Sequence, residues 1–559
     1  MPDTPSPQPP RSPNQVPPLL DYDVSAADPA LRGALAAAGS GLGPALTDLA
    51  LAAGSTEMIE AARLADSCPP ILRTHDRAGN RIDEVEYHPA WHTLMDRAVR
   101  AGLQAAPWSP DAPADAHLQR AAGFYLWTHT ESGHLCPISM TYAAIPALRH
   151  SPALANRFEA GLRSRTYDFG LRPPDDKHGL LAGMSMTEKQ GGSDLRQVVT
   201  TAVPDSGSTS DGAPYRLTGH KWFTSAPMND VFLTLARAPA GLTCFLVPRV
   251  LPDGSRNGIC LQRLKDKLGN RSNASAEIEY DDALGWRVGD EGRGLPTILE
   301  MVTMTRLDCV LGSAGQLRAA LSQAAFYTSR RMAFGKPLAQ QPAMTAVLAD
   351  LAIESWAATA TAIRLADLVQ TSQLGAGGPA ATALLRLALP VSKFWVCKRA
   401  VPVLAEALEC LGGNGYVETF PMARLFRESP LNGIWEGSGT VTALDALRAL
   451  HHSPAAGAAF LAELGLAGGI NADFDRAVGE LSGLLRLGVE PAAARRCASL
   501  AGRLLAAGLL IRQAPGLVAD LYCATRLASV GDRVFGDLPG RPDAAGLLRL
   551  VGSVTPEIS

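Results

Sequence analysis

No sign of charge dominates this chain of 559 residues. Its 51 lysines and arginines face 54 aspartates and glutamates, a formal net charge of -3. No global basic field therefore draws it to nucleic acid or to a membrane surface, and a polyanionic partner would need a local patch. The nine cysteines include no C-x-x-C pair and no Cys/His cluster at zinc-ligand spacing, so a disulfide framework and a metal site are not expected. They read as buried thiols in a reducing compartment. No stretch reaches about 18 uninterrupted apolar residues, because even 374–401 is broken by glycine, proline, arginine and lysine. The first 18 residues hold eight prolines and one arginine around no apolar core, which matches neither a signal peptide nor an amphipathic presequence. Residues 1–20 are expected to form a disordered leader, and the protein to be cytoplasmic. A G-x-G-x-x-G opening a helix after a strand is also missing, so a Rossmann-type nicotinamide site has little support.

What is present is ample apolar material, 47% of residues, in a chain long enough for three or four domains at about 150 residues each. From 26 to 165 the pattern is helical, with Asp115 and Ser151 placed as N-caps and Pro152 at a first helical position. Near Gly179 the period turns strand-like. Short β-rich runs over 197–203, 215–224, 231–236, 242–247, 259–264 and 276–280, with no helices between them, predict an antiparallel sheet or barrel. After Gly294 the helical period returns. Val310, Ala314, Leu317, Leu321 and Ala324 share one face, and further helices over 344–369 and 384–411 are expected, the latter broken or kinked at Pro390 and Pro402. From 443 the chain is Ala/Leu-rich and without lysine. The expected fold is mostly α with a small central β-domain: a helical domain at 21–180, a β-domain at 181–290, a helical bundle at 291–445 and a helical extension at 446–559.

One polar stretch, Met186 to Asp194 (MTEKQGGSD), lies between apolar runs. Paired glycines permit close backbone approach, and Thr187 and Ser193 offer hydroxyls and amides to a phosphate. Taken alone, it is equally an ordinary Gly-Gly-Ser turn. His129 and His134 invite a metal reading that no further ligand spacing supports.

Four motifs in order carry a resemblance. They are Thr187-Glu188 with Gly191-Gly192-Ser193-Asp194; Gly219 to Ser225 (GHKWFTS); Arg331 to Leu338 (RMAFGKPL); and Gly412-Gly413-Asn414-Gly415-Tyr416 followed by Ile434-Trp435-Glu436-Gly437-Ser438. Together they resemble the acyl-CoA dehydrogenase family over about 120–445. Finer matches at 73–92, 136–144 and 265–275 resemble its AidB-like branch, flavoproteins of the bacterial adaptive response to DNA alkylation.

The resemblance implies FAD, with Met186, Thr187, Gly192, Ser193, Trp222, Phe223, Thr224, Ser225, Asn432 and Trp435 around it. Trp222 would lie against the flavin and the Thr224 hydroxyl would reach its N5. Arg331, Phe334, Gly412 and Gly413 would reach the adenosine diphosphate half of a neighbouring subunit's FAD in a homotetramer. Glu436 would be the base in α,β-dehydrogenation of a short or branched acyl-CoA thioester, with hydride passing to flavin N5 and electrons to an electron-transfer flavoprotein. Glu428 is a second, weaker carboxylate candidate. Glu409 and Pro342 depart from the family's adenine-contacting glutamines, and the bulk of Lys189-Gln190 would narrow coenzyme A entry. Read without the family, Trp222 is equally a core aromatic, Arg331 a solvated helix-end residue and Glu436 a turn residue. The alternative function is a DNA-binding flavoprotein with little dehydrogenase activity, its double-stranded DNA partner meeting Arg486, Arg495, Arg496, Arg503 and Arg512. The ordinary reading of that set is a row of solvated arginines.

Overall fold

Capping side chains set where the first helices begin. Asp28 accepts the Leu31 amide at 3.0 Å ahead of Pro29–Ala37, and Ser55 accepts the Met58 amide at 3.3 Å ahead of Thr56–Ser67. Each satisfies a donor that the helix itself cannot. Asp115 and Ser151 occupy N-cap positions but neither side chain caps; Asp115 accepts from Ser40 and Gln119 instead. The computed structural model describes residues 14–205 and 210–528, with 546, 549 and 550. Residues 1–13 of the expected leader lie outside these. Val16 and Leu19 are buried in the core, so 14–20 is packed chain rather than a free segment.

The N-terminal region, expected to be helical over 26–165, is not helical throughout. A hairpin of β1 (Ile71–His75) and β2 (Arg81–Glu86) interrupts it. The Asp76 carboxylate accepts the amides of Ala78 and Asn80 at 2.8 and 2.9 Å and closes the turn. The hairpin's support is remote in sequence: Arg81 donates to the Leu261 carbonyl at 2.9 Å, and Val85 joins the core of the β-domain.

β3 (Ala182–Ser185), β4 (Thr201–Pro204), β5 (Pro214–Ser225), β6 (Val231–Ala238), β7 (Gly241–Pro248), β8 (Ile259–Leu264) and β9 (Ser275–Val288) form one sheet. Antiparallel pairs join β4 to β5, β5 to β9, β9 to β7 and β7 to β6, and a parallel pair between Thr201 and Arg237 returns β6 to β4. The strands thus close into a barrel around Tyr215, Leu217, Phe245, Val247 and Ile278. Two pairings, β3 with β6 and β4 with β6, are parallel, so the sheet is mixed and not the antiparallel one expected. The cause is local. Ser185 pairs with Thr234 and Thr201 with Arg237, while β7 holds the other edge of β6 along its length. The chain leaves the barrel wall at Ser185, makes an excursion over 186–200, and rejoins the same edge of β6 a few residues further on.

Three long helices follow, Gly294–Arg330, Pro342–Gln373 and Gly378–Glu409. The last runs on as one helix through Pro390 and Pro402, because packing against its neighbours outweighs the cost of an interior proline. The second and third are long and apolar enough to cross a membrane, yet 89% and 72% of their most apolar windows lie buried inside the protein. Such all-round apolarity marks core helices. Gly439–His452, Pro454–Gly465, Ala472–Leu487, Ala494–Gln513 and Gly516–Arg526 pack onto them in the same continuous core. Arg526 ties the last of these down, with Asp350 at 2.5 Å and Glu354 at 2.8 Å.

Candidate functional site

The excursion over 186–200 is held from below by one buried carboxylate. Glu188 accepts from Lys221 Nζ at 2.7 Å, from the Thr200 hydroxyl at 2.6 Å and from the Val199 amide at 2.7 Å. Burial alone would raise its pKa, but the Lys221 ammonium and these donors outweigh it and hold the carboxyl at about 2. Gln190 folds back onto the Glu188 carboxylate and the Gln197 carbonyl. Lys189 and Gln190 are both exposed, with the Gln190 amide tied back to the loop. Gly191 takes φ +144°. Gly192 has a different cause, since a Cβ there would lie 2.4 Å from the Thr187 hydroxyl oxygen. The approach that excludes a side chain at 192 comes from Thr187 itself.

Above that anchor the loop presents unpaired groups. Among the described residues the Gly192 and Ser193 amides and the exposed Ser193 hydroxyl meet no protein acceptor or donor. Met186 is half-buried against the core. The Trp222 amide donates to the Thr187 carbonyl at 2.7 Å, binding loop to β5. In β5 the register shifts so that Trp222 and Phe223 together oppose Glu277. This bulge aims two successive aromatic rings outward, where Phe223 is 47% exposed. Lys265 Nζ lies 3.2 Å from the Trp222 ring centroid and 4.9 Å from that of Phe223. Thr224 is buried with its hydroxyl 2.5 Å from that of Ser185, so the hydroxyl expected to reach flavin N5 has one partner within the protein.

The opposite wall is Glu436. It sits in left-handed backbone, φ +57°, and its carboxylate accepts from the Thr305 hydroxyl at 2.7 Å. Its backbone carbonyl accepts from Arg306 Nε at 2.9 Å, and Arg306 pairs with Asp445 at 2.6 Å. Desolvation raises the Glu436 pKa, opposed by Thr305, Lys393 and Arg306. Trp435 donates to the Asn432 side chain at 2.9 Å, so these two site candidates brace each other. Cys136 joins the walls. Burial pushes its thiol up to about 12, and it interacts with the side chains of Ser225 and Asn273 and with the Glu436 charge. The end of β5 and the Glu436 carboxylate therefore share one neighbourhood.

The remaining candidates lie elsewhere. Arg331 follows the helix Gly294–Arg330, and Asn414, next to Gly412 and Gly413, donates to the Tyr327 hydroxyl at 3.1 Å. Thr305 and Tyr327 stand 22 residues apart on that helix, ~33 Å at 1.5 Å per residue. One dinucleotide cannot reach from Glu436 to Arg331 in the same subunit. Phe334, at φ +51°, is 96% exposed, and Gly412 and Gly413 face open space. Gln341 donates to the Ala333 carbonyl and braces the turn.

Glu428 also lies apart. It is buried and accepts the Asn270 amide at 2.7 Å, beside Glu131, whose carboxylate takes His134 Nδ1 at 2.8 Å and the Ser272 hydroxyl at 2.9 Å. It belongs to a packed charge cluster and makes no contact with Glu436. His129 is buried and desolvation drops its pKa to about 4. The C-terminal arginines form no free row: Arg496 pairs with Glu480, Arg512 with Glu463, Arg503 donates to the Arg526 carbonyl, and Arg495 lies over Phe394. Of that set Arg486, Arg495 and Arg496 are exposed. Sequence reasoning missed Thr305, Arg306 and Lys393; a lysine inside an otherwise apolar helical run was the available signal for the last.

These residues fit an extended flavin dinucleotide, with free amides for its pyrophosphate, outward aromatics for its ring and a carboxylate opposite. The chain matches the adaptive response protein AidB N-terminal domain over residues 14–169, the acyl-CoA dehydrogenase middle domain over 183–283 and the acyl-CoA dehydrogenase C-terminal domain over 292–451. It is 46% identical to AidB of Escherichia coli (strain K12) over 441 residues, 78% of this chain and 80% of that protein. The structure resembles Bd2924 in its apo form, with TM-score 0.80 at 30% identity over 90% of this chain and 100% of that one. It also resembles Caenorhabditis elegans ACDH-11 in complex with C11-CoA, with TM-score 0.83 at 28% identity over 93% of this chain and 94% of that one. With site, fold and sequence in agreement along most of its length, the chain belongs to the acyl-CoA dehydrogenase family of FAD-dependent oxidoreductases, in its AidB-like branch.

Proposed function

We propose that the protein dehydrogenates an acyl-CoA thioester between Cα and Cβ, with Glu436 as the base. The observation that carries this is the Glu436 carboxylate, held by Thr305 in a desolvated position near enough to Cys136 for its charge to be felt there. Bound FAD supplies the acceptor for the hydride from Cβ. The Gly192 and Ser193 amides would hold its pyrophosphate, and Trp222 and Phe223 its ring. A carboxylate whose pKa desolvation raises is a stronger base, and it takes the Cα proton when the thioester carbonyl lies between the two walls. Trp435, fixed by Asn432, excludes water from that space. The C11-CoA in the ACDH-11 structure supports an acyl-CoA as substrate class.

Two partners belong to the same reading. A second subunit of a homotetramer would bring its Arg331, Phe334, Gly412 and Gly413 to this subunit's FAD, a reading that the ~33 Å separation along one helix supports. An electron-transfer flavoprotein would reoxidise the cofactor, in a cytoplasm reducing enough for nine free cysteines. Duplex DNA gains less support, because phosphate contacts need a row of free cations and Arg503 and Arg512 are turned to partners within the chain, leaving Arg486, Arg495 and Arg496 exposed.

Anaerobic titration of purified protein with acyl-CoAs of graded length and branching tests the proposal. Loss of the oxidised-flavin absorbance is expected with at least one of them. Glu436→Gln should keep its FAD and lose roughly 10²–10⁴ in reduction rate. No bleaching with any thioester, or an unchanged rate in the variant, would overturn it.

A further inference from the structure

The Lys393 ammonium is a buried charge, its residue 2% exposed in the interior of the helix Gly378–Glu409. It forms no ion pair within 4 Å among the described residues. A buried ammonium is costly unless its donors and its charge are answered. Its donors go to two backbone carbonyls, Asn432 at 2.9 Å and Gly437 at 2.8 Å. These lie on either side of Glu436. Between them the chain takes left-handed backbone twice, φ +57° at Glu436 and φ +105° at Gly437. A non-glycine residue in that region is held there only when its surroundings over-determine it. From the helix Gly294–Arg330, Arg306 grips the carbonyl of Glu436 itself. The segment is thus clamped at three carbonyls, those of Asn432, Glu436 and Gly437, by two cations from two helices.

We propose that Lys393 is a positioning residue for the reaction: it clamps the Asn432–Gly437 segment in the strained backbone that aims the Glu436 carboxylate, and it is the buried counter-charge of that carboxylate. The proposal rests on Glu436 being the base. The charged and titratable groups facing Glu436 are Lys393 on Gly378–Glu409, Arg306 and Cys309 on Gly294–Arg330, and Cys136 on Leu135–Leu148. Arg306 shares the Asp445 carboxylate with Arg386, and both thiols are neutral near pH 7 because burial raises them. Lys393 is the cation without a carboxylate of its own. It favours the ionised base and therefore limits how far desolvation can raise its pKa.

Lys393→Met removes the charge and both donors at similar volume, Lys393→Gln keeps an amide donor without the charge, and Lys393→Arg keeps the charge. In the FAD-loaded enzyme, the acid limb of the pH–rate profile for flavin reduction should move upward by about one unit in the Met and Gln variants, a tenfold change in the proton affinity of the base. The Arg variant should recover most of the wild-type profile. The Glu436 carboxyl is also titrated directly by infrared difference against Glu436→Gln, a readout that needs no turnover. An upward midpoint in the neutral variants supports the clamp and the counter-charge even if no acyl-CoA reduces the flavin, in which case the dehydrogenase reading fails and with it the role in that reaction. An unmoved midpoint in Lys393→Gln with retained FAD overturns it. Should Lys393→Met not fold, the Gln and Arg pair carries the same comparison.

Discussion

Asn14 and Arg331, 317 positions apart, are joined by a hydrogen bond from the Arg331 guanidinium to the Asn14 carbonyl. The Asn14 side chain then behaves like a short strand. Its oxygen accepts the Met332 amide at 2.7 Å and its nitrogen donates to the Met332 carbonyl at 2.9 Å. The small hairpin of β10 (Met332–Ala333) and β11 (Lys336–Pro337) that carries Phe334 is thereby held on its outer edge. Asn14 has φ +69°, which glycine tolerates fully. Asn14→Gly therefore deletes the two amide bonds without new strain. Exposed bonds of this kind are worth about 1 kcal/mol each, so FAD affinity is expected to fall severalfold in a fluorescence titration of apoprotein. Unchanged affinity would place Arg331 outside the cofactor site.

Gly192→Ala should release FAD. The new Cβ meets the Thr187 hydroxyl at 2.4 Å and its methyl at 3.0 Å, so the loop must open where its free amides are presented. The flavin-to-protein ratio after gel filtration measures this, and a wild-type ratio would mean that the loop yields without losing its ligand.

Stability should fall as pH rises through neutrality, and Glu428 is a named cause. Its pKa is raised, first by burial and then by the nearby Glu131 charge, against the opposing Asn270 amide. A raised folded-state pKa means that the native protein keeps a proton which the unfolded chain has lost, so stability declines with pH over that window. Glu428→Gln removes the titration. Its melting temperature relative to wild type should climb between about pH 5 and pH 8; a flat difference would show that Glu428 does not titrate there.

Phe334 exposes nearly all of its ring at a strained backbone position, and Tyr416 is 85% exposed. On the reading proposed above, both rings would be covered by a second subunit. Phe334→Ser should lower the mass found by light scattering and, on the reading proposed here, the bound FAD with it. A variant with unchanged mass would remove Phe334 from the subunit contact.

Which parts of this were legible depended on range. The helical runs and most of the barrel strands follow from periodicity, and Glu436 stands in a motif. The β1–β2 hairpin was hidden because its support is Leu261, and its exposed strand shows no alternation strong enough to break a helical context. The parallel pairs were hidden because β3 is four residues long and its partner is set by the geometry of an excursion. At the site, the sequence placed Trp222 and Thr224 in a strand but not the bulge that turns Phe223 outward. Glu428 lies only eight positions from Glu436, yet it sits among Glu131 and Asn270, since proximity along the chain says nothing about which side of a helix end a carboxylate takes.

The distance between Thr305 and Tyr327 on one helix extends to genetics. If each cofactor is gripped by Glu436's subunit at one end and Arg331's subunit at the other, two inactive alleles can repair each other. In a mixed assembly of Glu436→Gln and Arg331→Ala chains, one site of a facing pair inherits both lesions and the other inherits neither. Co-expression of the two null alleles should restore a fraction of wild-type turnover that neither allele shows alone.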